Sequence, residues 1–130
     1  MKKGIYEIIV EGKIITCRLN GSFSEGQAIE FDSKMKEIVG KISPAPFFVI
    51  FNLSEFTGAT PEAFQVQERF NQWLATTTLV AKANIDGSEI ISSIVDHHMP
   101  SRKVKLYGCF NSELDAKAWF ERIRKELEKN

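Results

Sequence analysis

Residues 46–64 read PFFVIFNLSEFTGATPEAF, and the reading of this stretch decides the fold. PFFVIFNL is a continuous apolar run without alternation, which suits a central strand covered on both faces. TPEAF carries the signals of a helix start. Thr60 is a favourable N-cap, Pro61 fits the first helical position, and Glu62 complements the helix dipole. The expected order is a strand over 47–53, a turn over 54–59 that Gly58 lets close, and a helix opened by Thr60. Ser54, Thr57 and Thr60 place three hydroxyls on that short turn.

Upstream, IYEIIV (5–10) and KIITCRL (13–19) are rich in β-branched side chains and flank Glu11-Gly12, the pattern of a tight hairpin. Asn20-Gly21-Ser22 is expected to break the second strand. Ser24 with Gln27 forms a capping-box pattern, and Ala28, Phe31, Met35 and Ile38 give one apolar helix face. Gly40 and Pro44 mark the expected end of that helix. Downstream of Thr60, the stripe Ala63, Val66, Phe70, Trp73 and Leu74 faces inward. TTLVAKAN (77–84) reads as a strand. A short helix follows Asp86-Gly87-Ser88, with Ile90, Ile91, Ile94 and Val95 as its apolar positions, and ends near HHMP. KVKLYGCF (103–110) is the last strand. Asn111 or Ser112 caps a final helix, with Leu114, Ala118, Trp119, Ile123 and Leu127 expected inward.

The element order is ββαβαβαβα. Strands alternating with helices imply a parallel sheet, to which the hairpin adds an antiparallel edge. The fold class is therefore α/β, a mixed sheet of about five strands with helices packed on it.

The chain has 130 residues, which fits one domain over 1–130 with a core of its own. Hydrophobic residues make up 43% and charged residues 26%, an ordinary globular composition. The 17 basic and 17 acidic side chains give a formal net charge of +0. That leaves no surplus cation to neutralise phosphates, so nucleic acid is not an expected partner. It also leaves little repulsion against self-association, so a homo-oligomer stays open. Cys17 and Cys109 form no CxxC pair, so neither a zinc site nor a redox pair is expected. Both are read as buried free thiols. No run approaches the ~18 apolar residues of a membrane span, and MKKGIYEIIV lacks a long apolar leader core. No transmembrane segment and a cytoplasmic location are the expectations.

Three stretches carry a resemblance: GSFSEGQAIEF after the second strand, FVIFNLSEFTGATPEAF at the third, and LDAKAWFERI near the end. In this order and spacing the chain resembles a STAS domain, the fold of the bacterial anti-sigma-factor antagonists. Within that superfamily it looks closest to the short stand-alone SpoIIAA-like proteins. The resemblance spans about residues 5–123, and the topology also resembles in part the lipid-transfer domains of the CRAL-TRIO kind. It implies a regulatory domain that works through protein contacts. In STAS antagonists the turn after the third strand bears a phosphorylated serine. Laid on that pattern, the serine positions become Pro61 and Glu62, neither of which accepts phosphate. Thr57 or Thr60 is the remaining acceptor, and Glu62 a fixed negative charge.

The leading expectation is a non-catalytic domain whose protein partner meets Ser54, Thr57, Gly58, Thr60 and Glu62. A second is a carrier or sensor of a small apolar or lipid-like ligand at the carboxyl ends of the strands, where open α/β sheets bind ligands. There Asn20, Ser22, Asn84 and Asp86 join the hydroxyls, and Phe56, Phe64 and Phe70 supply apolar surface. A third is a phospho-regulated antagonist. In all three Thr60 caps the following helix.

No cofactor, metal or catalytic set is expected. His97 and His98 are adjacent, and neighbouring helical residues point about 100° apart, a poor chelating geometry. HExxH, GxSxG, P-loop and GxGxxG motifs are absent. Glu25/Glu30 and Glu121/Glu126 read as solvated helix surface. SRKVK (101–105) is a small basic cluster that alternation should expose at Arg102 or Lys103 with Lys105.

Overall fold

The computed structural model describes residues 2–103 and 105–129. The elements run β1 (Ile5–Glu11), β2 (Ile14–Phe23), α1 (Glu25–Ile42), β3 (Phe47–Ala59), α2 (Pro61–Leu74), β4 (Leu79–Asp86), α3 (Glu89–His98), a 3-10 turn (Pro100–Lys103), β5 (Leu106–Cys109) and α4 (Glu113–Glu128). The five strands lie in sequence order, β1-β2-β3-β4-β5. β1 and β2 pair antiparallel, with Glu11 opposite Ile14, and every later pairing is parallel. Gly12 closes the hairpin at φ +61°, a backbone state that glycine adopts without strain.

The apolar run makes β3 the centre of the sheet, and its alternate side chains serve two cores. Phe47 and Val49 join Ile15, Cys17, Phe31, Met35, Val39, Phe70 and Leu74 beneath α1 and α2. Phe48 and Ile50 join Ala81, Ala83, Ile85, Ala116 and Phe120 beneath α4 on the opposite face. Phe48 and Phe120 meet with ring centroids 4.7 Å apart. A third cluster, Phe23, Leu53, Phe56, Phe64 and Val95, brings α3 onto the α2 face near the carboxyl ends of the strands.

The expected helix starts hold. Ser24 caps α1 in a full capping box with Gln27. The Thr60 Oγ1 accepts the Ala63 N–H at 3.1 Å, with Pro61 first in α2. Ser88 and Ser112 cap α3 and α4.

Several boundaries and faces differ from expectation. β3 does not stop at Leu53; it continues to Ala59 beside residues 20–23 of β2, which therefore do not break that strand. The join holds two extra residues in β3. Arg18 and Asn20 face Asn52 and Glu55, and Gly21 and Ser22 face Phe56 and Gly58. Such bulges re-aim side chains, so Leu53 and Phe56, three residues apart, enter the same cluster. α1 runs past Gly40 to Ile42. β4 begins at Leu79, because the Thr76 and Thr77 hydroxyls donate to the Trp73 and Leu74 carbonyls and extend the end of α2.

On α3 only Val95 is buried, while Ile90 is 73% and Ile94 40% exposed. α4 buries Ala116 and Phe120, whereas Leu114 and Leu127 are exposed and Ala118 lies on the outer side. The Phe48 ring selects the Phe120 stripe. Trp73, in the expected inward stripe of α2, is only half-buried. Cys17 is buried as expected, but Cys109 is exposed on the short edge strand β5. The expected start of that strand falls partly on Val104, outside the described residues.

Candidate functional site

Between the sheet and helices α1–α3 the described residues line a partly open cavity of about 50 Å³. Leu19, Phe23, Phe51 and Leu53 line it from the sheet, and Phe31, Phe64, Val95 and Met99 from the helical side. Phe56 closes on Phe23 and Phe64, with centroids 6.1 and 6.3 Å away. His98 stacks flat on Phe64 at 4.4 Å, on the outside of this wall.

One end of this apolar space is polar. Asn71, Asn84, Gln67 and Arg102 line it. Asn84 is 2% exposed and lines the cavity. Two residues back on the same face of β4, Lys82 is 1% exposed. Its Nζ donates to Asn71 Oδ1 at 3.3 Å and lies 6.0 Å from the Phe51 ring centroid. Among the described residues it makes no ion pair. Burial pushes the Lys82 ammonium down to about 8, helped by the repulsion of Arg102 and opposed by the attraction of Glu68.

Arg102 is by contrast fully engaged. Its guanidinium donates to both carboxylate oxygens of Asp86, at 3.0 and 2.9 Å, and to Asp96 at 2.7 Å. Burial opposes its charge, but the two carboxylates prevail and hold its pKa above the ordinary value. Glu68 binds the backbone N–H and the hydroxyl of Ser101. These contacts fasten the 3-10 turn over the polar end. They also decide the expected alternative of Arg102 or Lys103 exposed with Lys105 in favour of Lys103. Acidic partners from β4 and α3 draw it inward, leaving Lys103 and Lys105 outside.

The expected hydroxyl turn lies elsewhere. Ser54, Thr57 and Gly58 sit within β3, not on a turn, because β2 continues beside them. Ser54 and Thr57 are exposed, and the Thr57 and Ser22 hydroxyls are 2.7 Å apart. Gly58 has φ +151°, a conformation that side-chain-bearing residues rarely adopt. Thr60 serves as the cap, and Glu62 is exposed in the first turn of α2. None of the five lines the cavity. Of the wider expected set, Phe56, Phe64 and Asn84 line it. Asp86 is tied to Arg102, Asn20 lines a separate cleft beside Ser54, and Phe70 belongs to the α1–α2 core. Lys82, Asn71 and Arg102 were not anticipated. The sequence signal for Lys82 is a cation at the centre of LVAKANID, a strand otherwise apolar up to Asn84.

On the opposite face, Arg18 donates to both oxygens of Glu113 at 2.8 Å, and Asn52 donates to the same carboxylate at 2.8 Å. Arg18 above all pulls the Glu113 carboxyl down to about 2, against burial and with help from Asn52. This pins the start of α4 to the sheet. The His97 and His98 rings meet edge to face at 5.3 Å. No group of three metal-ligating side chains occurs among the described residues, and no helix there is long and apolar enough to cross a membrane.

No family model matches the chain, and no curated protein does. Among solved structures, it is similar to an uncharacterised protein of the DUF3478 family with a SpoIIAA-like fold from Shewanella loihica PV-4. The two superpose with a TM-score of 0.66 over 89% of this chain and 92% of the other, at 12% identity. The chain has a SpoIIAA-like fold.

Proposed function

We propose that this SpoIIAA-like domain acts by binding rather than catalysis, and that a small apolar ligand with one polar head occupies the cavity. The observation that carries this reading is a partly open space between the sheet and the helices whose walls are almost wholly apolar, with Asn71, Asn84 and Arg102 among its lining residues. Ligand sites have this make-up, apolar walls with a few convergent polar groups. The volume of about 50 Å³ is well below the usual ~300–1,000 Å³ of drug-sized pockets and accepts only a few heavy atoms as it stands. A larger guest needs α3 to move outward, against the packing of Ile91, Val95 and Met99, the His98–Phe64 stack and the Arg102–Asp96 ion pair.

Thermal unfolding with and without 1-hexanol tests the reading. Binding to the folded state alone stabilises it by about 1.4 kcal/mol at ten times Kd. A rise in Tm of the wild type, lost in the cavity-filling variants Val95→Phe and Leu19→Phe, is the expected result. No rise, or an equal rise in the filled variants, overturns it.

A second reading is regulation through a protein partner on the outer rim. It is favoured by the exposure of Ser54, Thr57 and Glu62, which leaves them turned to solvent rather than to the cavity. In a phospho-regulated version the exposed Thr57 or Thr60 is the acceptor. Substituting Glu62 and Gln65 and comparing co-purifying proteins tests this reading; an unchanged set across the series removes it.

A further inference from the structure

We infer that β5 pairs with its own copy: two chains join β5 to β5 antiparallel about a two-fold axis at Gly108, so that the sheet of one continues into the other. This goes beyond the cavity reading and does not depend on it. The two ends of the sheet differ. β1 carries Glu7 and Glu11, and charges on an edge strand guard it against pairing. Between Leu106 and Cys109, β5 carries no charge, and Leu106 is 51% and Tyr107 37% exposed. The formal net charge of +0 adds no general repulsion.

The backbone fixes which groups are open. The Phe110 N–H donates to the Asn84 carbonyl. Alternate residues of a strand address the same neighbour, so Leu106 and Gly108 also turn their N–H and C=O toward β4. Those of Tyr107 and Cys109 point outward, where β5 is last in the sheet and no further strand follows among the described residues. Lys105, at φ +66°, stops the strand on one side, and the bend at Asn111 stops it on the other. One register then uses every outward group. Tyr107 stands opposite the partner's Cys109, and Cys109 opposite the partner's Tyr107, each pair exchanging both hydrogen bonds. Gly108 faces its own copy on the axis.

The side chains suit this register. Opposed residues of an antiparallel pair share a face and touch. Leu106, exposed in the single chain, therefore meets the partner's Phe110, which is half-buried with its ring 5.1 Å from Trp119. Gly108 is needed on the axis, because a Cβ there would lie 2.8 Å from the Phe110 ring of its own chain. On the other face Tyr107 covers the partner's Cys109, which is exposed in the single chain. Charge agrees. Lys105 precedes β5, donates to the Thr77 carbonyl at 3.3 Å and makes no ion pair among the described residues. Glu89 and Asp115, exposed and likewise without ion pairs there, line a cleft with Cys109 and Arg122 past the end of β5. Antiparallel pairing sets the lysine of each copy at the acidic end of the other.

The strand is short, so the pairing is a concentration-dependent equilibrium. Sedimentation equilibrium of the full chain over a hundredfold range of concentration should show monomer passing to dimer. The Tyr107 and Cys109 amides should exchange hydrogen at least threefold more slowly at the top of that range. Leu106→Lys should weaken association at least tenfold with an unchanged far-UV spectrum. A monomer throughout overturns the inference. A dimer that survives Leu106→Lys, or that leaves both amides exchanging as in the monomer, overturns β5 as its seam. Should Leu106→Lys fail to fold, the amide exchange of the wild type decides alone. The register has its own test. Tyr107→Cys, oxidised with copper phenanthroline, should give a dimer whose peptide map links position 107 to the partner's Cys109. The two native Cys109 thiols are offset by roughly 7 Å along the seam, out of bridging reach, so the wild type should stay unlinked. A main product linking like positions, or no link at all, overturns the axis at Gly108.

Discussion

The two faces of the sheet are built to different rules. Under α4 the strands offer Phe48, Ile50, Ala81, Ala83 and Ile85, and the helix answers with Ala116 and Phe120. The polar groups at its edge, Arg18, Asn52 and Glu113, satisfy one another. Under α2 and α3 the same strands offer Lys82 and Asn84, and a gap remains between Phe23, Phe56 and Phe64. The α4 face is not satisfied throughout, since among the described residues the buried Thr16 Oγ1 has no partner there. The larger cost falls on the other face, where a buried ammonium without a counter-ion makes the fold less stable than the same strands would otherwise allow.

The comparison is broken most severely at Arg102. Arg102→Met leaves Asp86, 10% exposed, without its cation. Removing one partner of a buried pair costs about 3–5 kcal/mol. Chemical denaturation should show that loss, with α3 and the 3-10 turn the first to exchange amide hydrogens. Phe120→Ala on the other face should cost about 3–4 kcal/mol through the space it empties against Phe48. It should leave 1-hexanol affinity unchanged by calorimetric titration, because nothing of that face touches the cavity.

Lys82→Met sharpens the contrast from the opposite direction. The folded pKa of Lys82 lies near 8 against an ordinary 10.5, so the unfolded chain holds this proton more tightly. Stability therefore rises with pH between about 8 and 10.5, and the full penalty, up to about 3 kcal/mol, acts below 8. Lys82→Met should be more stable than wild type at pH 7, with the difference closing by pH 10.5 in parallel urea titrations.

The smallest effect belongs to Glu113. Its folded pKa is depressed from 4.5 to about 2, so its contribution is complete above 4.5 and fades as pH falls toward 2. Arg18 is half open to solvent, which discounts the pair to about 1 kcal/mol. Glu113→Gln should lose that amount at pH 7 and match wild type near pH 2.

Much of the frame was legible before the coordinates. PFFVIFNL read as a doubly covered strand because it lacks alternation, and Thr60-Pro61-Glu62 read as a helix start because each residue answers a need of the first turn. The continuation of β3 was not legible. It depends on residues 20–23 staying extended beside it, and two bulges absorb a mismatch that no local propensity reports. The inner face of α4 was misread at Leu114 and Ala118, which lie together on the outer side, while Phe48, far away in sequence, decides for Phe120. The candidate site suffered most. Lys82 and Asn84 were visible as polar interruptions of β4, but their direction depends on the register with Val49 and Phe51. Arg102 looked like one member of a basic cluster, because the carboxylates that bury it come from two other elements.

The most direct test of the proposed binding face is an NMR titration of labelled protein with 1-hexanol. Shifts are expected at Leu19, Leu53, Val95, Met99 and the Asn84 side-chain amide, with Ile50, Ile85 and Ala116 unmoved. Shifts centred on the α4 face, or none at saturating 1-hexanol, would contradict it.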